Sequence, residues 1–269
     1  MKIYTENNWI SSNINDREQN PLEDFKVILR PYPFINLTFY DECNLVAKKI
    51  KDKYADVPLF LGLSGGADSE FVFKIFIKNN ISFTPVIVLF KGNELESKYA
   101  LNLCEDNNIS PVILYLDNKQ LLRIIYYDIV KRFNGIGKFA AANIAIDRYV
   151  KDMKGILILA EHVVGDGAEM IDNYIYHFSE YDFYVDNIPF FCYTTNIMYS
   201  MLQSVDASYV NWMTYKHKVF EGTLRPKIRP VYSDTINDIL RVIYKHKKDV
   251  KSKHYLGDKY SLMNFLTNV

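Results

Sequence analysis

The chain has 269 residues and 31.5 kDa, with 32 Lys and Arg balanced by 32 Asp and Glu. That is one large domain or two modest ones, and zero net charge removes the simplest electrostatic argument for a general nucleic-acid binder. Three widely spaced cysteines (Cys43, Cys104, Cys192) exclude a disulfide scaffold and a Cys-rich zinc site. They suit a reducing cytoplasm, and the polar Met1–Asn8 start, without an apolar stretch, argues against a secretory signal. No apolar run approaches the roughly 18 residues of a membrane span, so no membrane partner is expected.

Taken in order, residues 1–55 read as an extension: an irregular lead-in, an extended piece around Lys26–Arg30, the Pro31-Tyr-Pro33 turn, and a helix from about Asp41 to Tyr54. From Pro58 the pattern changes. Leu59–Leu63, Thr84–Phe90, Pro111–Leu116 and Gly155–Ala160 are short, continuous apolar runs, as expected of strands buried on both faces of a parallel sheet. Helices are predicted over Ser69–Asn80, Glu94–Asn108, Asn118–Phe133 and Lys138–Lys154. In the first of these, Glu70, Lys74 and Lys78 form one polar stripe on an otherwise apolar surface. The order predicts an α/β doubly wound parallel sheet over residues 56–188, with ligands at the carboxyl ends of its strands. Past Pro189 strand signals fade, and Tyr193–Ser204, Val210–Phe220 and Asp234–Lys247 predict a helical C-terminal lobe, 189–269. The 21 tyrosines and 17 phenylalanines are read as core rather than as a substrate tunnel.

Ser64-Gly-Gly-Ala-Asp-Ser69 follows the first buried strand and opens the most apolar helix, which is where a phosphate loop must sit. Glycines let the backbone approach an anion, successive N–H groups form a concave donor set, and the helix N-terminus adds partial positive charge. Ser64 and Ser69 can donate, and Asp68 can hold Mg²⁺ against the phosphates. The loop is not a Walker A, and Gly135-Ile-Gly-Lys-Phe-Ala140 lies between predicted helices, so it is not a dinucleotide fingerprint. After the fourth strand comes Glu161-His-Val-Val-Gly-Asp-Gly-Ala-Glu169. Asp166 and Glu169, on a glycine-rich loop at a strand's carboxyl end, are placed to share the Mg²⁺ with Asp68. Charge is segregated: 161–187 holds seven acidic residues and no Lys or Arg, and 241–259 seven Lys or Arg and two acidic residues.

Ser64–Ser69 resembles the Ser-Gly-Gly-x-Asp-Ser signature of the N-type ATP pyrophosphatases, the PP-loop superfamily. The resemblance implies a Rossmann-like fold, cleavage of ATP between its α- and β-phosphates, and adenylation of a carbonyl, carboxylate or amide oxygen. Gly165-Asp-Gly-Ala-Glu169 resembles the acidic loop of asparagine and β-lactam synthetases, with Glu169 where that family has Asp and Met170 where it has Glu. The same stretch resembles the His-x-x-x-Asp-x-x-Glu loop of tRNA lysidine synthetases through His162, Asp166 and Glu169. Arg229-Pro-Val-Tyr-Ser-Asp234 and Gly257-Asp-Lys-Tyr-Ser-Leu262 resemble later asparagine-synthetase segments. By that resemblance Lys259 approaches the phosphates, although Asp258 is an insertion and the family's arginine is absent.

The resemblance further implies ATP on Ser64, Gly65, Gly66, Ala67, Asp68 and Ser69, with Gly165 opposite and adenine read by the backbone of Val88, Leu89 and Phe90. Asp68, Asp166 and Lys259 are the expected catalytic residues, and ATP and Mg²⁺ the expected cofactors. Lys2 stands where a glutaminase nucleophile would be, so the expected partners are a small-molecule carboxylate and an amine or ammonia. The alternatives are a tRNA-modifying enzyme that adenylates a base carbonyl and an inactive nucleotide-binding regulator.

Overall fold

The computed structural model describes residues 4–8, 25–29, 36–131, 140–161, 169–171, 174–179 and 185–203. Five strands form an all-parallel sheet: β2 (Leu59–Gly62), β3 (Thr84–Phe90), β4 (Val112–Leu116), β5 (Ile156–Leu159) and β8 (Ile188–Pro189), in the order β4-β3-β2-β5-β8. The chain runs outward from β2 to β3 and β4, then crosses back to place β5 on the other side of β2. The crevice between β2 and β5 is therefore the topological switch point, where doubly wound sheets bind their ligands.

The apolar runs carry the period-2 logic of buried strands. Leu59, Leu61, Ile87 and Ile158 feed one core cluster, while Phe60, Val86, Val88, Leu157 and Leu159 feed the other. The first cluster is roofed by α1 (Phe39–Lys53), α2 (Ala67–Lys78), α3 (Glu94–Asp106) and α6 (Thr195–Gln203). The second is covered by α4 (Asn118–Arg123), the π-helical stretch Ile124–Lys131 and α5 (Ala140–Asp152). Helix and strand positions follow the expected pattern closely, except that the single helix predicted over Asn118–Phe133 is α4 continued as a π-helix from Ile124.

Helix α1 opens with a capping box in which Thr38 and Asp41 satisfy each other's backbone N–H groups. Cys43, Val46, Ala47 and Ile50 on this helix are fully buried, so it is part of the same core as the sheet. Residues 4–8 join them through Tyr4 N–H to Asn187 O at 2.9 Å and Glu6 N–H to Tyr193 O at 2.7 Å. Phe39, Phe60, Phe71, Phe73, Phe76, Phe190 and Phe191 are core, as expected, whereas Tyr40, Tyr115 and Tyr127 are exposed. Phe39 stacks on Phe71 and Phe191, and Phe76 meets Phe83 and Phe190 edge-on.

A second, three-stranded antiparallel sheet was not expected. β1 (Phe25–Leu29) pairs with β7 (Tyr174–Ser179), and β7 with β6 (Glu169–Ile171). The extended piece around Lys26 is β1. In β7, Tyr-Ile-Tyr-His-Phe-Ser is rich in residues that favour a pleated surface, a signal masked by the surrounding acidic residues. β8 is the other unexpected strand: Asn187-Ile-Pro offers two ladder residues, too few for a periodicity to register.

Candidate functional site

The Ser64–Ser69 segment leaves the carboxyl end of central β2 and enters α2, with Gly66 as the N-cap residue. No side chain caps this helix, so its first turn offers backbone N–H groups and the positive end of the helix dipole at the carboxyl end of β2. The loop is tied by its own serines. Ser69 Oγ donates to Gly66 O at 3.1 Å and accepts from Ser64 N–H at 3.3 Å, with the two hydroxyls 3.2 Å apart. Gly66 N–H donates to Ser64 Oγ at 3.2 Å. Ser69 is thus buried and shapes the loop, while Ser64 is exposed.

Gly65 is required twice over. Its φ is +87°, and a Cβ there would lie 2.1 Å from the Glu96 carbonyl oxygen, so the loop rests directly on the first turn of α3. Gly66 has ordinary extended geometry, and a Cβ on it would meet only Ser64 Oγ, at 3.3 Å. Asp68 stands half-buried in the first turn of α2, and Glu70 behind it is buried against Lys74 at 2.7 Å. Of the expected polar stripe on α2, Glu70 is therefore interior; Lys74 and Lys78 are exposed, Lys78 donating to Tyr40 Oη at 2.8 Å.

On one side of the loop lies the end of β3. Val88 is buried, Leu89 and Phe90 half-buried. Two of their backbone groups are engaged by Asn93: its Nδ2 donates to Val88 O at 2.8 Å, and its Oδ1 accepts from Phe90 N–H at 2.9 Å. Sequence reasoning missed Asn93, because an asparagine before Glu94-Leu-Glu96 reads as an ordinary helix cap. Its side chain makes no cap bond to α3. Gly92 N–H instead donates to Glu94 Oε2 at 2.9 Å, and this bond holds the Glu94 carboxyl below its usual range.

On the other side β5 ends at Leu159 and is followed by Ala160-Glu161. Glu161 Oε1 accepts from Asn143 Nδ2 of α5 at 3.2 Å, and the Cys192 thiol lies 3.8 Å from Glu161 O. Gly165, Asp166 and Lys259 lie outside the described residues, as do Arg229–Asp234 and the helices predicted over Val210–Phe220 and Asp234–Lys247. Glu169 was expected on a loop, but its backbone opens β6 opposite Tyr176. Asp68 is thus the one expected metal ligand whose side chain is described, and among the described residues no three His, Cys, Asp or Glu side chains cluster. Its hard carboxylate beside an anion-binding helix start suits a Mg²⁺–phosphate pair, the usual partnership of that ion. A cavity of about 730 Å³, lined by Leu114, Tyr115, Ile124, Tyr127, Arg148 and Tyr149, lies at the outer edge of the sheet, away from the loop. No helix among the described residues is long and apolar enough to cross a membrane.

The fold is a Rossmann-like α/β sheet with the Ser64–Ser69 turn at its switch point. No protein-family model matches the sequence, and no curated protein matches it. Among solved structures it is similar to the NMN synthetase of Francisella tularensis, at 14% identity over 86% of this chain and 92% of that one, with a TM-score of 0.37. It is likewise similar to the NH3-dependent NAD synthetase of Campylobacter jejuni, at 17% identity over 86% and 90% of the two chains, with a TM-score of 0.35. The glutamine-dependent NAD+ synthetase of Acinetobacter baumannii is 11% identical over 88% of this chain and 45% of its own, with a TM-score of 0.41.

Proposed function

We propose that the chain is an AMP-forming ligase of the N-type ATP pyrophosphatase class, asparagine-synthetase-like in its acidic loop. The observation that carries this reading is the Ser64–Ser69 signature at the carboxyl end of the central strand, opening a helix with no side-chain cap. ATP lies with its β- and γ-phosphates on the loop's N–H donors, so that the helix start attracts the charge of the departing pyrophosphate. A substrate carboxylate oxygen attacks the α-phosphorus as the bond to the α–β bridging oxygen breaks. An amine or ammonia then attacks the acyl carbon, and AMP leaves with the former carboxylate oxygen.

Asp68 is the metal-holding residue of the described chain, with Asp166 and Glu169 assigned to the same role by the sequence resemblance. Mg²⁺ bound there neutralises charge on the leaving pyrophosphate. Lys259 is assigned to the α-phosphate, so the segment 189–269 is read as a lobe completing the site of the 56–188 core, with 1–55 as an N-terminal extension.

The test is product analysis from α-labelled ATP with Mg²⁺, using pools of small carboxylates with ammonia or amines, and separately bulk tRNA. Labelled AMP with a small-molecule pool, reduced at least a hundredfold in Asp68→Ala, is the expected result. Labelled AMP with tRNA alone would move the activity to base modification. Labelled ADP would overturn α–β cleavage.

A further inference from the structure

Strand β2 ends at Gly62, whereas its neighbour β3 runs on to Phe90. Alternate residues of a strand turn their backbone groups to the same edge, and Val86 O accepts from Leu63 N–H at 2.9 Å. Val86, Val88 and Phe90 therefore face β2. Had β2 continued straight, its residue 65 would donate to Val88 O and accept from Phe90 N–H. The chain instead turns at Ser64, and Gly65 adopts its left-handed conformation in the loop. Asn93 supplies what the departing strand withdraws: its carboxamide donates to Val88 O at 2.8 Å and accepts from Phe90 N–H at 2.9 Å. The pair is buried, Asn93 being 8% exposed, so leaving those groups unmet would be costly.

The same residue starts α3. Ser97 N–H donates to Asn93 O at 2.9 Å, and the turn closed by that bond carries the Glu96 carbonyl against which Gly65 is packed. One side chain thus closes the sheet where the loop leaves it, and its backbone anchors the surface on which the loop rests. We infer that Asn93 is a positioning residue for the Ser64–Ser69 loop, taking the ladder place that strand β2 vacates so that the loop can lift away from the sheet. It also follows that the Val88 carbonyl and Phe90 N–H are committed within the protein, so a base read at this edge meets the Asn93 carboxamide beside them. The consequence for ligand binding rests on the phosphate-loop reading above.

The test is amide hydrogen exchange on the full chain, as wild type, Asn93→Ala and Asn93→Asp, with Mg²⁺–pyrophosphate affinity measured in parallel. In Asn93→Ala the Phe90 amide and the amides of residues 64–69 are expected to exchange at least about tenfold faster, with Leu157 and Ile158 of β5 unchanged. Asn93→Asp keeps the acceptor for Phe90 N–H but replaces the donor to Val88 O with an oxygen, so Phe90 should keep more protection than in Asn93→Ala while the loop amides still exchange faster than in wild type. Pyrophosphate should bind about tenfold more weakly to Asn93→Ala at unchanged β5 protection, a change that a purely structural role would not produce. Faster exchange at Phe90 with loop amides unchanged would overturn the inference. A wild type that binds no pyrophosphate would count against the phosphate-loop reading alone, because the exchange result judges Asn93 without a ligand.

Discussion

Gly65→Ala is expected to abolish nucleotide binding and to destabilise the fold by about 3 kcal/mol or more. The left-handed backbone alone costs an L-residue roughly 1–2 kcal/mol. The new methyl would also lie 2.1 Å from the Glu96 carbonyl oxygen, a backbone atom of the first turn of α3 that cannot swing aside as a side chain could. Either α3 shifts outward or the loop moves off it, and in both cases the N–H groups of the turn lose their common focus. Urea denaturation with nucleotide titration separates the two costs. Gly66→Ala is the control, since its φ of −75° suits alanine and its Cβ meets only a hydroxyl at 3.3 Å. A Gly65→Ala protein as stable as wild type would show that the loop does not rest on α3.

The second large effect is expected in the core behind the loop. Phe76 of α2 is fully buried, edge-on to Phe83 at 5.3 Å and to Phe190 at 5.8 Å. It joins the helix that carries the loop to the segment leading into β3 and to the turn after β8. Truncation of such a ring costs about 3–5 kcal/mol, depending on how far the site collapses. Phe76→Ala should therefore lower the midpoint of chemical denaturation sharply, at nearly unchanged nucleotide affinity of the folded fraction. Phe76→Leu should recover most of the loss. An alanine variant within 1 kcal/mol of wild type would show that these aromatic contacts do not set the stability, because buried truncations seldom cost so little.

What was legible in the sequence follows from which physical signals are local. Leu59–Leu63, Thr84–Phe90, Pro111–Leu116 and Gly155–Ala160 could be read as strands because burial on both faces demands uninterrupted apolar residues. Their alternation with helices argues a doubly wound parallel sheet, and the observed order β4-β3-β2-β5 puts Ser64–Ser69 at the switch point. β1 and β7 were harder, since their pairing joins residues on either side of four of the five parallel strands and neither strand is marked by its neighbours. Two residues of β8 carry no periodicity at all.

At the site, the loop was legible as a motif because glycine and serine at that turn have a direct physical use. The partners that hold it were not. Asn93 has the local setting of a helix cap, and only the early end of β2 gives its carboxamide a different role. Glu70 looked like a member of a solvent stripe, yet it is buried, because helical spacing says which residues share a face but not what covers that face. Asn143 and Glu161 meet across α5 and the end of β5, a contact that no sequence spacing announces.

The central claim is that the turn between β2 and α2 binds the phosphates of a nucleotide. The most direct measurement is titration of the isotope-labelled full chain with Mg²⁺–pyrophosphate and with Mg²⁺–ATP, following backbone amide resonances. The account expects both ligands to shift the amides of Gly65, Gly66, Ala67, Asp68 and Ser69 first and most, and ATP alone to add shifts at the end of β3. Saturable binding of either ligand that left those five amides unmoved would contradict it.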